Sequence, residues 1–351
     1  MNNMEIFAAR LKNARLIKGF SMDQLASAMN NRVSKMAISK YEHAQIFPDS
    51  SVMISFANAL EQPVDYFFRP LTLQVDSIKF RKLKSRLSKK EEKSIKENIS
   101  DLIERYINIE EICNESVKFD FSFKKSSDAL DYKKAACKLR ENWNLGSDGI
   151  VNVIDLLETN GIKVLEIDGS DGFDGLSSVV NDLYPVIVLN KNFPSERKRF
   201  TAMHELGHLV LNFPDDIPEK DEEKYCNLFA SEMLIPESLF KKILGEKRHD
   251  ISYQELKSIQ LQYGISCDAL MYKAKDFGVI SENRYKTFCI QKSQRPDFKK
   301  LFETSLYPEE QSNRFKSLVY KALSNESITV SKAAVLLRQD IEQVRKDFVL
   351  A

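Results

Sequence analysis

Apolar residues recur every three or four positions along most of this chain, a period that predicts a mainly helical protein. Over residues 5–69 the helical segments are short, and turn signals at residues 19–21, 30–31 and 47–49 separate them. Ser21 and Ser34 each stand before such a segment, in the position of a helix N-cap. We therefore predict a compact bundle of about five short helices. Its expected core includes Leu25, Ala28, Ile38 and Tyr41.

A longer apolar stripe begins near residue 88 and predicts one extended amphipathic helix. The residues of the stripe are Ile95, Ile99, Leu102, Ile103, Tyr106, Ile109 and Ile112. Such a stripe either buries against neighbouring helices or pairs two copies of the chain as a homodimer. An irregular polar stretch after Lys118 predicts a loop, and helical spacing returns over residues 128–143, 253–277 and 314–348.

Three short runs rich in β-branched residues interrupt the helical pattern, at residues 161–167, 176–180 and 185–190. They predict a small three-stranded sheet, whose edge either accepts a peptide as an extra strand or only covers the helices. The predicted fold class is mainly α with a small β-sheet. The predicted domains are a helical bundle at 1–70, a basic helical linker at 71–127, an α+β domain at 128–245 and a helical C-terminal region at 246–351.

Charge and cysteine content narrow the range of partners. The net charge is +1, so affinity for nucleic acid would need a local basic patch. Residues 79–96 hold nine basic side chains against Glu91 and Glu92, which favours either phosphate contacts or a solvated helix face. The five cysteines lack C-x-x-C spacing, and no apolar run is long enough to span a bilayer. We expect a cytoplasmic protein without a membrane partner.

Residues 10–60 resemble the Xre/Cro-type helix-turn-helix family, from RLKNARLIKGFSMDQLASAM to the SFANAL segment. The resemblance implies double-stranded DNA as a partner, with the helix that opens near Ser34 as the recognition helix. The implied contacts with base edges or phosphates come from Gln24, Lys35, Met36, Ser39 and Lys40. A bundle of this kind could also serve only for dimerisation or protein docking.

The strongest chemical signal is His204-Glu205-Leu206-Gly207-His208, within a predicted helix. Residues four apart share one helix face, so both imidazoles can reach one metal ion with Glu205 in the same cleft. Only four histidines occur in the chain, so chance explains this spacing poorly. The other interpretation is a partly buried helix with two satisfied histidines.

A catalytic zinc site needs a third protein ligand, and a carboxylate is expected because the other histidines lie far from the motif. Residues 221–235 predict a helix on which Glu223, Asn227 and Ala230 share one face. Glu223 is the predicted ligand and Glu222 its rival, while Glu232 is predicted to be a solvated surface residue. Tyr184, Arg197, Tyr225 and His249 are the open candidates for an oxyanion donor.

Residues 161–236 resemble the ImmA/IrrE family of metallopeptidases, through RKRFTAMHELGHLVLNF followed by EKYCNLFASEMLIP. The resemblance implies a zincin-like α+β domain, Zn²⁺ ligated by His204, His208 and Glu223, and Glu205 as general base. Cys226 stands where the family usually has alanine and is also small.

These features predict a DNA-binding regulatory zinc endopeptidase that cleaves one protein partner. The family resemblance implies a helix-turn-helix repressor or an antitoxin-like protein as that partner. Two alternatives stay open: a transcription factor whose zinc domain senses or dimerises without proteolysis, and a toxin-antitoxin component that acts through binding alone.

Overall fold

The computed structural model describes residues 2–70, 89–120, 131–214 and 216–349, and these form two compact units. Residues 1–116 and 313–351 belong to the first unit, and residues 117–312 to the second. Five of the nine clustered basic residues, and most of the predicted loop after Lys118, lie outside the described ranges. Those five are Lys79, Arg81, Lys82, Lys84 and Arg86.

The described chain is mainly helical with one small sheet, which confirms the predicted fold class at that level. The first elements in chain order are α1 (Asn3–Ile17), α2 (Met22–Ala28), α3 (Lys35–Glu42), α4 (Ser50–Leu60), a 3₁₀ helix (Val64–Phe68), α5 (Lys89–Cys113), α6 (Tyr132–Asn142), α7 (Val153–Thr159), β1 (Lys163–Ile167), β2 (Gly175–Val180) and β3 (Tyr184–Asn190). The remaining elements are α8 (Ser195–Val210), α9 (Glu219–Leu234), α10 (Glu237–Leu244), α11 (Tyr253–Tyr263), α12 (Cys267–Asp276), α13 (Glu282–Gln294), α14 (Pro296–Glu303), α15 (Arg314–Ser324), α16 (Val330–Leu337) and α17 (Ile341–Asp347).

Side-chain caps begin α2 and α3 at the predicted serines. The Ser21 hydroxyl accepts a hydrogen bond from the backbone of Gln24, and the Ser34 hydroxyl accepts one from Ala37. Ser266 caps α12 and Thr329 caps α16 in the same way. Each cap supplies an acceptor for an N–H group that has no partner within the helix. The residue type at the cap therefore allows these helix starts to be predicted from sequence.

The first unit packs around α1, whose Phe7 is fully buried against Phe47, Phe56 and Phe67. Leu25 and Ile38 are buried as predicted. The prediction for Ala28 was wrong, because this residue is exposed in the last turn of α2.

A network of buried charges joins three parts of the first unit. The Asp101 carboxylate, on α5, forms ion pairs with Arg69, with Arg105 at 2.9 Å and with Arg338 at 2.6 Å. The Arg105 guanidinium also donates to the Leu336 carbonyl at the end of α16. The apolar stripe of α5 packs on α1 and α15, which confirms that it buries against neighbouring helices.

The second unit contains a mixed sheet with strand order β1-β3-β2. The central strand β3 runs parallel to β1 and antiparallel to β2, so β1 and β2 are the two edges. One helix, α8, packs on β2 and β3 and also contacts α9. This arrangement places the middle of α8 between the sheet and α9.

Gly207 sets how closely α8 and α9 approach. A β-carbon at this position would lie 3.2 Å from the Phe229 ring and 3.3 Å from Cys226. Both are tighter than ordinary van der Waals contacts, so the absent side chain lets the two backbones come together. The glycine inside the histidine motif therefore has a packing role as well.

The domain boundaries at residues 70, 127 and 245 stay predictions. Within the described ranges, no helix combines the length and the apolar character needed to cross a bilayer. All five cysteines are free thiols.

Candidate metal centre

Helix α8 brings the three residues of the histidine motif to one side. His208 and Glu205 are buried, and His204 is half-buried. Leu206, Leu209 and Val210 lie in the core of the unit, on the other side of the helix. The amphipathic pattern of this helix therefore fixes its rotation and turns both imidazoles towards α9.

Three donor groups converge between α8 and α9. The Nε2 atoms of His204 and His208 lie 3.2 Å apart. The Glu223 carboxylate approaches each histidine with one oxygen, at 3.3 Å from His204 Nε2 and 3.3 Å from His208 Nε2. These are the two histidines and the first-choice carboxylate that the sequence predicted.

The spacing of these donors fits a zinc ion. Ligands at about 2.05 Å from a tetrahedral centre lie about 3.3 Å from one another, the same separation as among these three groups. Two imidazole nitrogens and one carboxylate are also a known protein donor set of catalytic zinc. The three groups form the one such cluster of metal-binding side chains found among the described residues. The residues present therefore fit the metal that the sequence predicts.

The opposite nitrogens of both histidines are held by α9. Asn227 Oδ1 lies 2.9 Å from His204 Nδ1, and Glu222 Oε1 lies 3.1 Å from His208 Nδ1. The Cys226 sulfur is 3.4 Å from the same His208 nitrogen. An acceptor at Nδ1 favours the tautomer whose Nε2 carries a lone pair, and it also fixes the ring orientation. The two rival glutamates thus contact opposite edges of His208.

Glu205 has a buried partner on the sheet. The Ser177 hydroxyl, on β2, donates to Glu205 Oε2 at 2.7 Å. Ser177 is 3% exposed and Glu205 is 9% exposed, so the hydrogen bond is shielded from water. It fixes one carboxylate oxygen and leaves Oε1 available for another proton partner.

Local charge changes the titration of His204. Burial alone lowers the pKa of this imidazole, but the hydrogen bond with Glu223 and the charges of Glu205 and Glu223 outweigh burial and raise it. Because a metal ligand must be the neutral imidazole, a proton competes with the metal for this nitrogen.

The prediction that Glu232 is a solvated surface residue was wrong. It is buried near the end of α9, accepts a hydrogen bond from the Glu237 backbone and lies 3.9 Å from Lys273 Nζ. The amphipathic pattern of α9 does not reveal α12, which covers this face with Lys273. Lys273 donates to the carbonyls of Ser231 and Ile235, which caps the C-terminal end of α9.

The four candidate oxyanion donors are dispersed. Tyr225 stacks on Phe213, the Tyr184 ring lies 5.1 Å from Lys163 Nζ, and His249 is exposed. Arg197 pairs with Asp174 and lines a cleft that Glu223 also lines. Of these four, Arg197 is the one found along that cleft.

The predicted DNA-contacting residues lie on the first unit and are largely exposed. Met36 is 72% exposed and Lys40 is exposed, while Ser39 is half-buried. Lys35 pairs with Asp23 at 2.6 Å, and Gln24 accepts from the Ser21 backbone at 2.8 Å. Apart from Ser39, these side chains are therefore accessible to a partner.

The structure adds three residues that sequence reasoning did not assign to the site: Ser177, Glu222 as a partner of Nδ1, and Asn227 as a partner of the other histidine. Asn227 and Glu222 had a signal, because each lies within one helical turn of Glu223. Ser177 had none, since its approach to Glu205 depends on how β2 packs on α8.

Comparison with known families finds a match over residues 157–275, about a third of the chain. These residues match the model of the M78 peptidases, described as the IrrE N-terminal-like domain. The match includes β1 to β3, both metal-site helices, α10 and α11 and nearly all of α12. No curated protein matches the chain. Residues 157–275 therefore form a metallopeptidase-like domain.

Proposed function

We propose that this protein is a zinc endopeptidase with His204, His208 and Glu223 as metal ligands and Glu205 as general base. The observation that carries the proposal is the convergence of His204 Nε2, His208 Nε2 and the Glu223 carboxylate inside the matched domain, with the two nitrogens 3.2 Å apart and each 3.3 Å from one carboxylate oxygen. Glu222 takes the outer role, because it contacts Nδ1 of His208 rather than the side that faces the other donors.

The division of work among the residues follows from their contacts. Zinc, when bound, supplies Lewis acidity that activates a water molecule and polarises the peptide carbonyl. Glu205 accepts a proton from the attacking water at Oε1, holds it, and returns it to the leaving amine. Ser177 keeps the carboxylate in this orientation through Oε2. Asn227 and Glu222 hold the two imidazoles against rotation.

The unpaired edge of β2 would align a substrate backbone. Within the described residues β2 pairs with β3 on one side only, and its Ser177 side chain contacts Glu205. Backbone hydrogen bonds along such an edge hold an extended peptide whatever its side chains are. We assign this edge to substrate residues on one side of the cleaved bond.

The first unit supplies the regulatory half of the proposal. Its α2 and α3 are capped helices, and α3 exposes Met36 and Lys40. Cationic and amide groups at the start of a recognition helix contact phosphates and base edges. The proposed role is to bind double-stranded DNA, and the proposed substrate is a helix-turn-helix repressor or an antitoxin-like protein.

The test compares wild type with Glu205→Gln in the organism's own cells. Proteomics of protein N-termini would find the cleaved partner, and the purified proteins would then reproduce the cut. We expect cleavage in wild type, and a fall of about 10²–10⁴-fold in Glu205→Gln with its zinc content unchanged. Glu309→Gln, an exposed glutamate, is the control and should cleave normally.

Two other outcomes would reject this function. Intact proteins throughout, together with operator binding, would favour a transcription factor whose zinc domain does not cleave. Tight binding of a partner that stays uncut in wild type would favour a toxin-antitoxin role.

A further inference from the structure

A cleft of about 840 Å³ runs along α9, and Glu223 and Asn227 of the metal centre line it. One face of α9 lines it from Lys220 through Glu223 to Ser231. The eleven helical steps from Lys220 to Ser231 span about 16 Å, the length of about five extended residues. The cleft therefore has room for a peptide segment beside Glu223.

The opposite wall comes from α12 and α13, with Tyr272 and Tyr285. Tyr272 is 47% exposed, and its ring packs edge-on against Tyr285 with centroids 5.9 Å apart. Leu228 and Phe200, from α9 and α8, are half-buried in the same cleft. Aromatic and aliphatic groups of this kind bind large apolar side chains.

Positive charge lies at the metal end of the cleft. Lys220 and Lys224 flank Glu223 on α9, are exposed, and have no ion-pair partner within the described ranges. Their two charges attract acidic side chains of a substrate.

The acidic groups of the wall are largely engaged. Asp268 and Glu303 both pair with Lys292, and buried Glu196 accepts hydrogen bonds from Gln260 and Ser305. Asp276, one turn beyond Lys273, has no ion pair among the described residues, and Lys273 contacts the end of α9. The cleft is thus cationic beside the metal centre and acidic at its far end.

From this polarity we infer that the cleft binds about five residues of the substrate that flank the cleaved bond. An acidic side chain lies against Lys220 and Lys224, and a large apolar side chain lies among Tyr272, Tyr285 and Leu228. The inference rests on the proposed peptidase function and adds the class of substrate: an acidic and apolar segment.

The test measures peptide binding to full-length, zinc-loaded Glu205→Gln by calorimetry, so that the peptide is not consumed. The probes are the capped peptides Ala-Glu-Glu-Phe-Leu-Ala, Ala-Lys-Lys-Phe-Leu-Ala and Ala-Glu-Glu-Ala-Ala-Ala. We expect the first to bind about tenfold more tightly than either of the others. Adding Lys220→Glu and Lys224→Glu should remove or reverse the preference for glutamate.

Matched substitutions separate the cleft from general charge. Lys242 and Lys247 are exposed lysines of the same unit outside the cleft, so Lys242→Glu with Lys247→Glu should leave all three affinities unchanged. Tyr272→Ala should weaken the Phe-Leu peptides alone, whereas Leu261→Ala, an exposed residue elsewhere, should not. If the protein carrying Lys220→Glu and Lys224→Glu does not fold, Lys220→Gln with Lys224→Gln gives the same comparison.

The inference is overturned if the three peptides bind with equal affinity. It is also overturned if the preference for glutamate persists when Lys220 and Lys224 are replaced, just as it does when Lys242 and Lys247 are replaced. Failure of the peptidase proposal looks different, because the preference would persist while the wild type cleaves nothing. If the wild type cleaves its partner but shows no such preference among the peptides, the proposed role of the cleft is rejected and the proposed peptidase function stands.

Discussion

Two polar clusters in this protein have opposite electrostatic designs. In the first unit, one carboxylate, Asp101, faces three guanidinium groups. In the second unit, the Glu223 carboxylate and two imidazole Nε2 atoms lie 3.2–3.3 Å from one another. The first cluster joins groups of opposite charge and so stabilises itself, whereas the second joins electron-pair donors that a cation would hold together.

The difference separates a structural site from a chemical one. Burial alone would raise the pKa of Asp101. The charges of Arg105, Arg338 and Arg69 outweigh that effect and hold its pKa well below the usual range. His204 has its pKa raised instead, by its carboxylate neighbours. Substitutions in the two clusters should therefore change different quantities, namely stability in one and metal affinity in the other.

The largest expected effect separates the two adjacent glutamates of α9. Glu223→Gln should lower zinc affinity by more than about 100-fold, because it alters a donor, whereas Glu222→Gln should cost about 10–100-fold, through ring orientation. Competition with a chromophoric chelator measures both. Glu219→Gln, an exposed residue at the start of the helix, is the control. A larger loss in Glu222→Gln would exchange the two roles.

Asp101→Asn should act on stability alone. Removing the carboxylate leaves buried Arg105 beside half-buried Arg69 and Arg338 without their shared partner, which costs about 3–5 kcal/mol of unfolding free energy. Urea denaturation of the full chain measures the change, with exposed Asp65→Asn as control. Zinc affinity should stay the same. A loss under about 1 kcal/mol would mean that the arginines find other partners.

Ser177→Ala tests the positioning of the general base. We expect kcat to fall about tenfold while KM and zinc content stay unchanged, because the hydroxyl orients Glu205 without contacting the metal ligands. Ser177→Thr keeps the hydroxyl and should restore activity. Ser178, also buried, points to the other face of β2, so Ser178→Ala should retain kcat. Equal kcat in Ser177→Ala and wild type would contradict the role.

The last prediction concerns pH and Lys273, which holds the end of α9. Burial lowers its pKa to about 7, against the weaker opposing effect of Glu232 and other carboxylates. In the unfolded chain the pKa of a lysine is about 10.4. Between pH 7 and that value the folded state binds fewer protons than the unfolded state, so the free energy of unfolding rises with pH. Below pH 7 the cost of the buried charge is fully present. Unfolding free energies from about pH 7 to 10 should lose this slope in Lys273→Met and keep it in Lys242→Met.

Sequence patterns predicted the parts that depend on local spacing. The positions of His204 and His208 follow from the helical repeat, and the serine caps follow from backbone chemistry. Glu223 came from a helix face combined with a family resemblance, and its rival Glu222 could not be separated by spacing alone.

Contacts between distant segments were beyond reach. Ser177 meets Glu205 only because β2 packs on α8, and Glu232 is buried only because α12 covers it. The Asp101 network needs Arg338, which lies 237 residues away in the chain. Ala28 was misjudged because it is the last residue of α2, directly before the C-cap, and the apolar pattern does not show that this turn is exposed.

Zinc titration of the intact, purified chain tests the central claim most directly. We predict one tightly bound equivalent in wild type and none in His204→Ala with His208→Ala, with both proteins equally folded by circular dichroism. A wild type that binds no zinc, or a double variant that binds as much as wild type, would contradict the metal centre.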